Sequence, residues 1–136
     1  VASLFPFEYI HIGGDENAKN FWAKSEDIKQ LMKREKITSL ELVQNYFTRR
    51  VEKIIASKGK RVIGWDEILK GELDSGTVIM SWQRTKGGVE AASRKLQVVF
   101  APNSYAYLNY MQGDPAVEPP VHSTRLLKTV YETEPM

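Results

Sequence analysis

Residues 8–17 read EYIHIGGDEN and join a strand-like segment to two glycines and two adjacent acids. The part YIHIGG alternates large and small side chains, a pattern typical of a β-strand that ends at its glycines. Glycine permits a tight turn, so the carboxylates of Asp15 and Glu16 directly follow the end of a predicted strand. A surface turn and an active site both tolerate this arrangement, and the rest of the chain has to distinguish them.

Three further strand-like segments follow, and helix-like segments separate them. The strand-like segments are short and apolar: RVIGWDEI (61–68), GTVIMSWQ (76–83) and LQVVFAP (96–102). Helices are predicted over residues 20–37, 38–58 and 87–95 from the spacing of their apolar side chains. Strands that alternate with helices indicate parallel βα units. The sequence therefore predicts an α/β fold with about four parallel strands.

The second predicted helix has recognisable ends. The run TSLE (38–41) fits a capping box, which places the first cap at Thr38. Gly59 is predicted to end the helix in the left-handed conformation. The helical spacing predicts a buried face of five side chains, namely Leu42, Tyr46, Val51, Ile54 and Ile55.

Each predicted strand is followed by side chains that can do chemistry: Asp15-Glu16, Trp65-Asp66-Glu67, Trp82-Gln83 and a tyrosine-rich loop beyond Pro102. In parallel α/β folds, functional residues collect at the carboxyl ends of the strands. Adjacent residues on a strand point to opposite sides, so Asp15 and Glu16 are predicted to address different atoms of one ligand. The aromatic side chains suit the faces of a sugar.

The composition excludes several classes of function. The chain has 136 residues, the size of one ordinary domain, and a formal net charge of +2, which indicates neither a nucleic-acid partner nor a charged membrane surface. No stretch approaches the roughly 18 apolar residues of a membrane span. The absence of cysteine excludes disulfides and zinc–thiolate sites. His11 and His122 have no metal-ligand spacing.

The motif HIGGDE (11–16) resembles the His-x-Gly-Gly-Asp-Glu signature of the family 20 glycoside hydrolases, the β-N-acetylhexosaminidases. The resemblance extends in the same order through GKRVIGWDEIL (59–69), VIMSWQ (78–83) and AYLNYMQ (106–112). It implies a (β/α)8 TIM barrel. Because only about four strands are predicted, it further implies that residues 1–136 are a partial catalytic barrel domain. They would correspond to the middle and later strands, with the N-terminal strands and the last strand absent.

The resemblance also implies roles for two carboxylates. Glu16 would be the general acid/base that protonates the glycosidic oxygen. Asp15 would hold the 2-acetamido group of the substrate and stabilise the oxazolinium that forms when the oxygen of that group attacks C1. The substrate would thus supply its own nucleophile, and configuration would be retained.

Six further residues receive implied roles in substrate binding or support. Trp65 and Trp82 would line the acetamido pocket, and Tyr107 would hydrogen-bond the acetamido carbonyl. Asn109 stands where the family usually has an aspartate that contacts a sugar hydroxyl, and it loses charge-assisted strength there. His11 and Glu67 would orient or polarise the site.

The function implied by the resemblance is removal of terminal β-linked N-acetylglucosamine or N-acetylgalactosamine from glycans, without metal or cofactor. The family resemblance alone suggests a periplasmic, extracellular or lysosomal-type compartment. A half barrel leaves open sheet edges and an uncovered apolar face, so the chain alone is expected to self-associate. It is also expected to turn over little substrate, because the resemblance implies that the missing strands supply sugar contacts.

Other interpretations of the same residues stay open. Residues 13–16 also fit a solvated turn, or the start of the GGDEF motif of diguanylate cyclases, although position 17 is Asn17 and no Asp-x-Asp-x-Phe-Lys stretch precedes it. Asp66-Glu67 resembles a Walker B end, but no Gly-x-x-x-x-Gly-Lys loop accompanies it. Each Trp can be a core residue. A non-catalytic carbohydrate-binding or structural remnant of the barrel is the main alternative function.

Overall fold

The computed structural model describes residues 1–114 and 116–134 and contains a four-stranded parallel sheet. The strands follow chain order in space: β1 (Tyr9–His11), β2 (Arg61–Trp65), β3 (Val78–Ser81) and β4 (Gln97–Phe100). The predicted α/β fold with four parallel strands is confirmed. Within the predicted domain of residues 1–136, positions 115, 135 and 136 lie outside the described part.

In the described residues, five α-helices and one 3₁₀ helix accompany the sheet. The α-helices are α1 (Asn20–Lys24), α2 (Glu26–Arg34), α3 (Leu40–Ala56), α4 (Lys86–Ser93) and α5 (Leu127–Tyr131). The 3₁₀ helix, Asp66–Lys70, follows β2 without an intervening loop. Over residues 1–114 and 116–134, none of the helices has the length and hydrophobicity needed to cross a membrane.

Two details of the predicted helices are wrong. The single helix predicted over residues 20–37 is broken at Ser25, which is extended and whose Oγ accepts a hydrogen bond from the N–H of Ile28 to start α2. The cap of α3 is Ser39, not Thr38, because the Ser39 Oγ accepts from the N–H of Leu42 at 3.3 Å. The predicted end is confirmed, since Gly59 has φ +68°.

The buried face of α3 also differs from the prediction. Its buried residues are Val43, Gln44, Thr48, Glu52 and Ile55, whereas Ile54 is 60% exposed. Three of these five are polar, because the face that meets β2 and the 3₁₀ helix also supplies hydrogen bonds to buried groups. An apolar spacing rule cannot select such a face, since it counts only hydrophobic side chains.

Glu52 is a buried carboxylate at the amino-terminal side of β3. It accepts hydrogen bonds from the Thr77 hydroxyl and from the N–H of Asp74, and Arg49 lies 3.0 Å from it. Its side chain is 2% exposed, so water does not replace these partners. Glu52 therefore ties α3 to the segment that leads into β3.

The hydrophobic core packs against the sheet whose strand ends carry the candidate site residues. Its buried cluster lies between the sheet, the 3₁₀ helix and α4, and consists of Ile68, Leu69, Ile79, Ala91 and Leu96. Ile79 in the middle of β3 is 0% exposed, as expected for a strand covered on both faces. Because all four strands run in parallel, their carboxyl ends open onto one edge of this core.

The Glu52 network generates a prediction for stability. Glu52→Ala leaves the Thr77 hydroxyl, the Asp74 N–H and Arg49 without their acceptor, and we expect it to lower the free energy of unfolding by about 2–4 kcal/mol. The measurement is urea unfolding of the protein that contains this chain. Lys53→Ala, at the exposed neighbouring position, is the control and should change it by less than about 0.5 kcal/mol. Equal effects of the two substitutions would contradict the assigned role.

Candidate active site

The residues GGDE (13–16) form a turn at the end of β1. Backbone pairing with β2 continues past the strand, because the N–H of Trp65 donates to the carbonyl of Gly13 at 3.0 Å. The backbone then takes positive φ at Gly13 (+73°), Gly14 (+109°) and Glu16 (+47°). Asp15 and Glu16 are exposed and lie on this turn. The prediction that strand alternation separates their side chains is therefore wrong in its reason, since β1 ends at His11.

The turn packs against the 3₁₀ helix and accepts a hydrogen bond from α3. A Cβ at Gly14 would lie 2.4 Å from Ile68 Cγ2, and one at Gly64 would lie 2.6 Å from Ile68 Cδ1. Both glycines therefore let the turn and β2 pack directly onto the 3₁₀ helix. The buried Gln44 donates from its Nε2 to the carbonyl of Gly14 at 2.7 Å. The backbone just before the two carboxylates is thus fixed by α3 as well.

His11 lies beside this turn. Its Nδ1 accepts a hydrogen bond from the N–H of Gly13 at 3.1 Å, so the neutral ring carries its proton on Nε2. The ring meets Trp65 edge-on with centroids 4.9 Å apart. Burial lowers the pKa of the His11 imidazole, and the nearby Asp15 carboxylate acts in the opposite direction. His11 is therefore mainly neutral at pH 7 and close to Asp15.

Asp66 joins the ends of β2 and β3. Its carboxylate, which is 8% exposed, accepts from Ser81 Oγ at 2.9 Å, from the Trp82 N–H at 3.1 Å and from the Gln83 N–H at 3.4 Å. A Cβ at Gly87 would lie 2.4 Å from Asp66 Oδ2, so α4 approaches closely because that position lacks a side chain. Asp66 was missing from the predicted site, although it belongs to the same acid pair as Glu67.

Glu67 accepts hydrogen bonds from the side chains of Trp82 and Gln83, whose backbone N–H groups donate to Asp66. Its Oε2 accepts from Trp82 Nε1 at 3.1 Å, and its Oε1 accepts from Gln83 Nε2 at 2.8 Å. Trp82 in turn stacks on Tyr107, with centroids 6.3 Å apart and planes 19° apart. The predicted residues Glu67, Trp82 and Tyr107 are thereby brought together from three different strand ends. Gln83 was not predicted to take part.

Tyr107 connects the loop after β4 to the other strand ends. Burial raises the pKa of the Tyr107 phenol, and nearby ionisable groups raise it further: Tyr110, Asp15, Asp66 and Glu67. Tyr107 is therefore a protonated hydrogen-bond donor at neutral pH. The turn after β1 and this loop both lie at the carboxyl edge of the parallel sheet. Asn109, two residues further along the same loop, is exposed.

The arrangement suits a neutral, polar ligand that has apolar faces. Two exposed carboxylates stand beside a neutral imidazole and a protonated phenol, and indole rings supply the walls. Such a combination can donate a proton to a bound molecule and stabilise positive charge next to it. In the part of the chain that the structure describes, no group of three or more His, Asp or Glu side chains could hold a metal ion.

The chain is similar in sequence and in fold to known proteins. The family model "Glycosyl hydrolase family 20, catalytic domain" matches residues 1–136. The chain is 40% identical over 138 residues to a β-hexosaminidase of Porphyromonas gingivalis, covering 100% of this chain and 18% of that protein. It is 34% identical to a β-hexosaminidase of Vibrio furnissii, covering 100% of this chain and 23% of the relative.

A solved structure has a similar fold. The exo-β-N-acetylglucosaminidase of Vibrio harveyi, determined in complex with N-acetylglucosamine, superposes with a TM-score of 0.91 at 34% identity, covering 98% of this chain and 21% of that one. The chain thus spans about a fifth of the length of the relatives that it matches. Since the family model matches residues 1–136 in full, the chain belongs to glycosyl hydrolase family 20, within the catalytic domain of that family.

Proposed function

We propose that the protein containing this chain removes terminal β-linked N-acetylglucosamine or N-acetylgalactosamine from glycans, with retention of configuration. The observation that carries the proposal is the gathering of four strand ends at one edge of the parallel sheet, with Asp15 and Glu16 exposed after β1 and Trp82 stacked on Tyr107 after β3 and β4. Membership of glycosyl hydrolase family 20 supports the reaction class. The proposed reaction needs no group beyond the protein, the sugar and water.

In the first step, the acetamido group of the substrate acts as the nucleophile. Tyr107 donates a hydrogen bond to its carbonyl oxygen, and Asp15 accepts one from its N–H. The carbonyl oxygen then attacks C1 while the glycosidic bond breaks, and Glu16 gives its proton to the leaving oxygen. Asp15 stabilises the positive charge of the oxazolinium as it develops.

In the second step, water attacks C1 from the face that the leaving group vacated. Glu16 takes a proton from this water and returns to its starting state, and the bond between C1 and the acetamido oxygen, formed in the first step, breaks to restore the acetamide. Two inversions at C1 give net retention. Trp65 and Trp82 would exclude water from the acetamido group during both steps.

A non-catalytic carbohydrate-binding or structural role is the alternative, and one observation favours it. Both candidate carboxylates are exposed, and an apolar groove of about 650 Å³ beside them is open between α2 and α3. The groove is lined by apolar side chains that include Trp22, Leu31, Phe47 and Ile54. A site with this much open apolar surface could retain sugar binding without turnover. Activity on a chromogenic N-acetylglucosaminide separates the two functions.

The two carboxylates should have distinguishable roles. In the protein that contains this chain, we expect Glu16→Gln to lower kcat on an N-acetylglucosaminide by about 10²–10⁴-fold, because general acid catalysis is lost. Asp15→Asn should lower kcat by about 10²–10³-fold through weaker stabilisation of the oxazolinium. Asp27→Asn, on the exposed first turn of α2, is the control. Hydrolysis of a plain glucoside in preference to the 2-acetamido sugar would contradict the proposal.

Asn109 offers a gain-of-function prediction. If it meets a sugar hydroxyl, Asn109→Asp should lower KM by up to about tenfold, because a carboxylate makes a stronger, charge-assisted hydrogen bond than an amide oxygen. Steady-state kinetics on matched gluco and galacto substrates would measure this change. Asn20→Asp at the start of α1 is the control. An unchanged KM for both sugars would remove Asn109 from the site.

The 136 residues by themselves should behave differently from the protein that contains them. We propose that this isolated chain turns over little substrate and self-associates, because its apolar groove and the edges of β1 and β4 are open in the described residues. Light scattering and a chromogenic assay test the two parts. A monodisperse monomer would contradict self-association, and turnover that Glu16→Gln abolishes would contradict inactivity.

A further inference from the structure

We infer that Glu67 is a positioning residue that holds the Trp82 indole by accepting its N–H, and that Gln83 completes this clamp. The inference rests on the proposed function. The family resemblance implied that Glu67 either orients or polarises the site, and these two roles can be distinguished. The polarising role would act through negative charge, whereas the orienting role needs only a hydrogen-bond acceptor.

Both carboxylate oxygens of Glu67 accept hydrogen bonds from residues just after β3. One carboxylate oxygen is 3.1 Å from Trp82 Nε1 and the other is 2.8 Å from Gln83 Nε2, so each oxygen has a donor from the end of β3. The hydrogen bond from Trp82 is partly buried, which strengthens it relative to an exposed one, whereas the hydrogen bond from Gln83 is exposed. A carboxylate engaged in this way fixes its neighbours.

The backbone and the indole ring of Trp82 are therefore each held by a hydrogen bond. Asp66 accepts from its backbone N–H at 3.1 Å, and Glu67 accepts from its indole N–H. Tyr107 stacks on the ring at a plane angle of 19°. Without the Glu67 contact, the indole keeps its backbone anchor but loses the acceptor that selects one ring orientation. Asp66 therefore positions the backbone of Trp82, and Glu67 positions its indole ring.

Glutamine at position 67 can preserve this clamp. Its amide oxygen can accept from Trp82 Nε1, and its NH₂ group can donate to the amide oxygen of Gln83 once the Gln83 amide turns over. The charge is lost but the acceptor for the indole remains. Leucine has nearly the same size and offers no acceptor, so it leaves the half-buried Trp82 N–H without its partner.

The test compares these two substitutions in the protein that contains this chain, assayed on 4-nitrophenyl N-acetyl-β-D-glucosaminide. We expect Glu67→Gln to keep kcat/KM within about threefold of the unsubstituted protein. Glu67→Leu should lower it by about 30–100-fold, because a misplaced wall costs that much in a positioned reaction. Glu72→Leu, at an exposed acid just after the 3₁₀ helix, is the matched control. Equal losses for Glu67→Gln and Glu67→Leu would overturn the inference in favour of a role for the charge.

A double-mutant cycle tests whether Glu67 acts through Trp82. Trp82→Phe removes the indole N–H, so Glu67→Leu should cost less than about threefold further in kcat/KM on that background. A penalty that persists in full would show that Glu67 acts on something other than Trp82, and would overturn the inference.

A spectroscopic measurement separates the inference from the proposed function. The indole N–H resonance of Trp82, assigned by its loss in Trp82→Phe, should keep its position within the normal range of small shifts in Glu67→Gln and move in Glu67→Leu. This readout needs no turnover, so it holds if the protein proves inactive on 2-acetamido sugars. If Glu67→Leu does not fold, the Glu67→Gln spectrum decides alone: a retained resonance supports the clamp, and a displaced one overturns it.

Discussion

Asp66 accepts hydrogen bonds from Ser81, Trp82 and Gln83, and the arrangement of the site depends on this one carboxylate. Parallel strands bring their carboxyl ends to one edge, but they do not by themselves fix how the chain leaves each strand. Asp66 fixes the exit from β3 relative to the 3₁₀ helix that follows β2. Ser81 extends the link, because its Oγ also accepts from the N–H of Gly88 in α4. The position of the Trp82 wall is therefore set by buried polar contacts and by sheet register together.

The dipeptide Asp-Glu occurs at residues 15–16 and again at 66–67, with opposite surroundings. The first pair is exposed on a turn with positive φ at Glu16. The second pair begins a 3₁₀ helix, where Asp66 is buried and Glu67 bonds to neighbouring side chains. The first pair is exposed to solvent, and the second pair accepts hydrogen bonds from the backbone and side chains of Trp82 and Gln83. The first pair follows two glycines with positive φ, whereas the second begins a 3₁₀ helix whose Ile68 and Leu69 lie in the core.

The sequence predicted the strands well, because short apolar segments that end at polar or aromatic residues leave little alternative. The strand ends predicted that Glu67, Trp82 and the tyrosine-rich loop lie at one edge of the sheet, whereas the family resemblance selected Tyr107 within that loop. It failed where polar side chains are buried. Gln44 and Glu52 face inward on α3 because their hydrogen-bond partners lie on other segments. Gly14 is 30 residues from Gln44 along the chain, and Thr77 is 25 residues from Glu52. Asp66 and Gln83 were noted at the strand ends but were given no role in the site, since tertiary contacts of this kind leave no periodic pattern in the sequence.

Helix α3 is anchored near the candidate site by Gln44 and near the opposite end of the sheet by Glu52. The two anchors are eight positions apart, about 12 Å along the helix axis. Deleting or inserting one residue between them would rotate one anchor by about 100° relative to the other, and at least one hydrogen-bonded partner would be lost. Homologous helices should therefore vary freely in composition on their outer face while keeping this spacing constant. Any exchange, duplication or grafting of this unit of the barrel therefore has to keep the eight-residue spacing between Gln44 and Glu52.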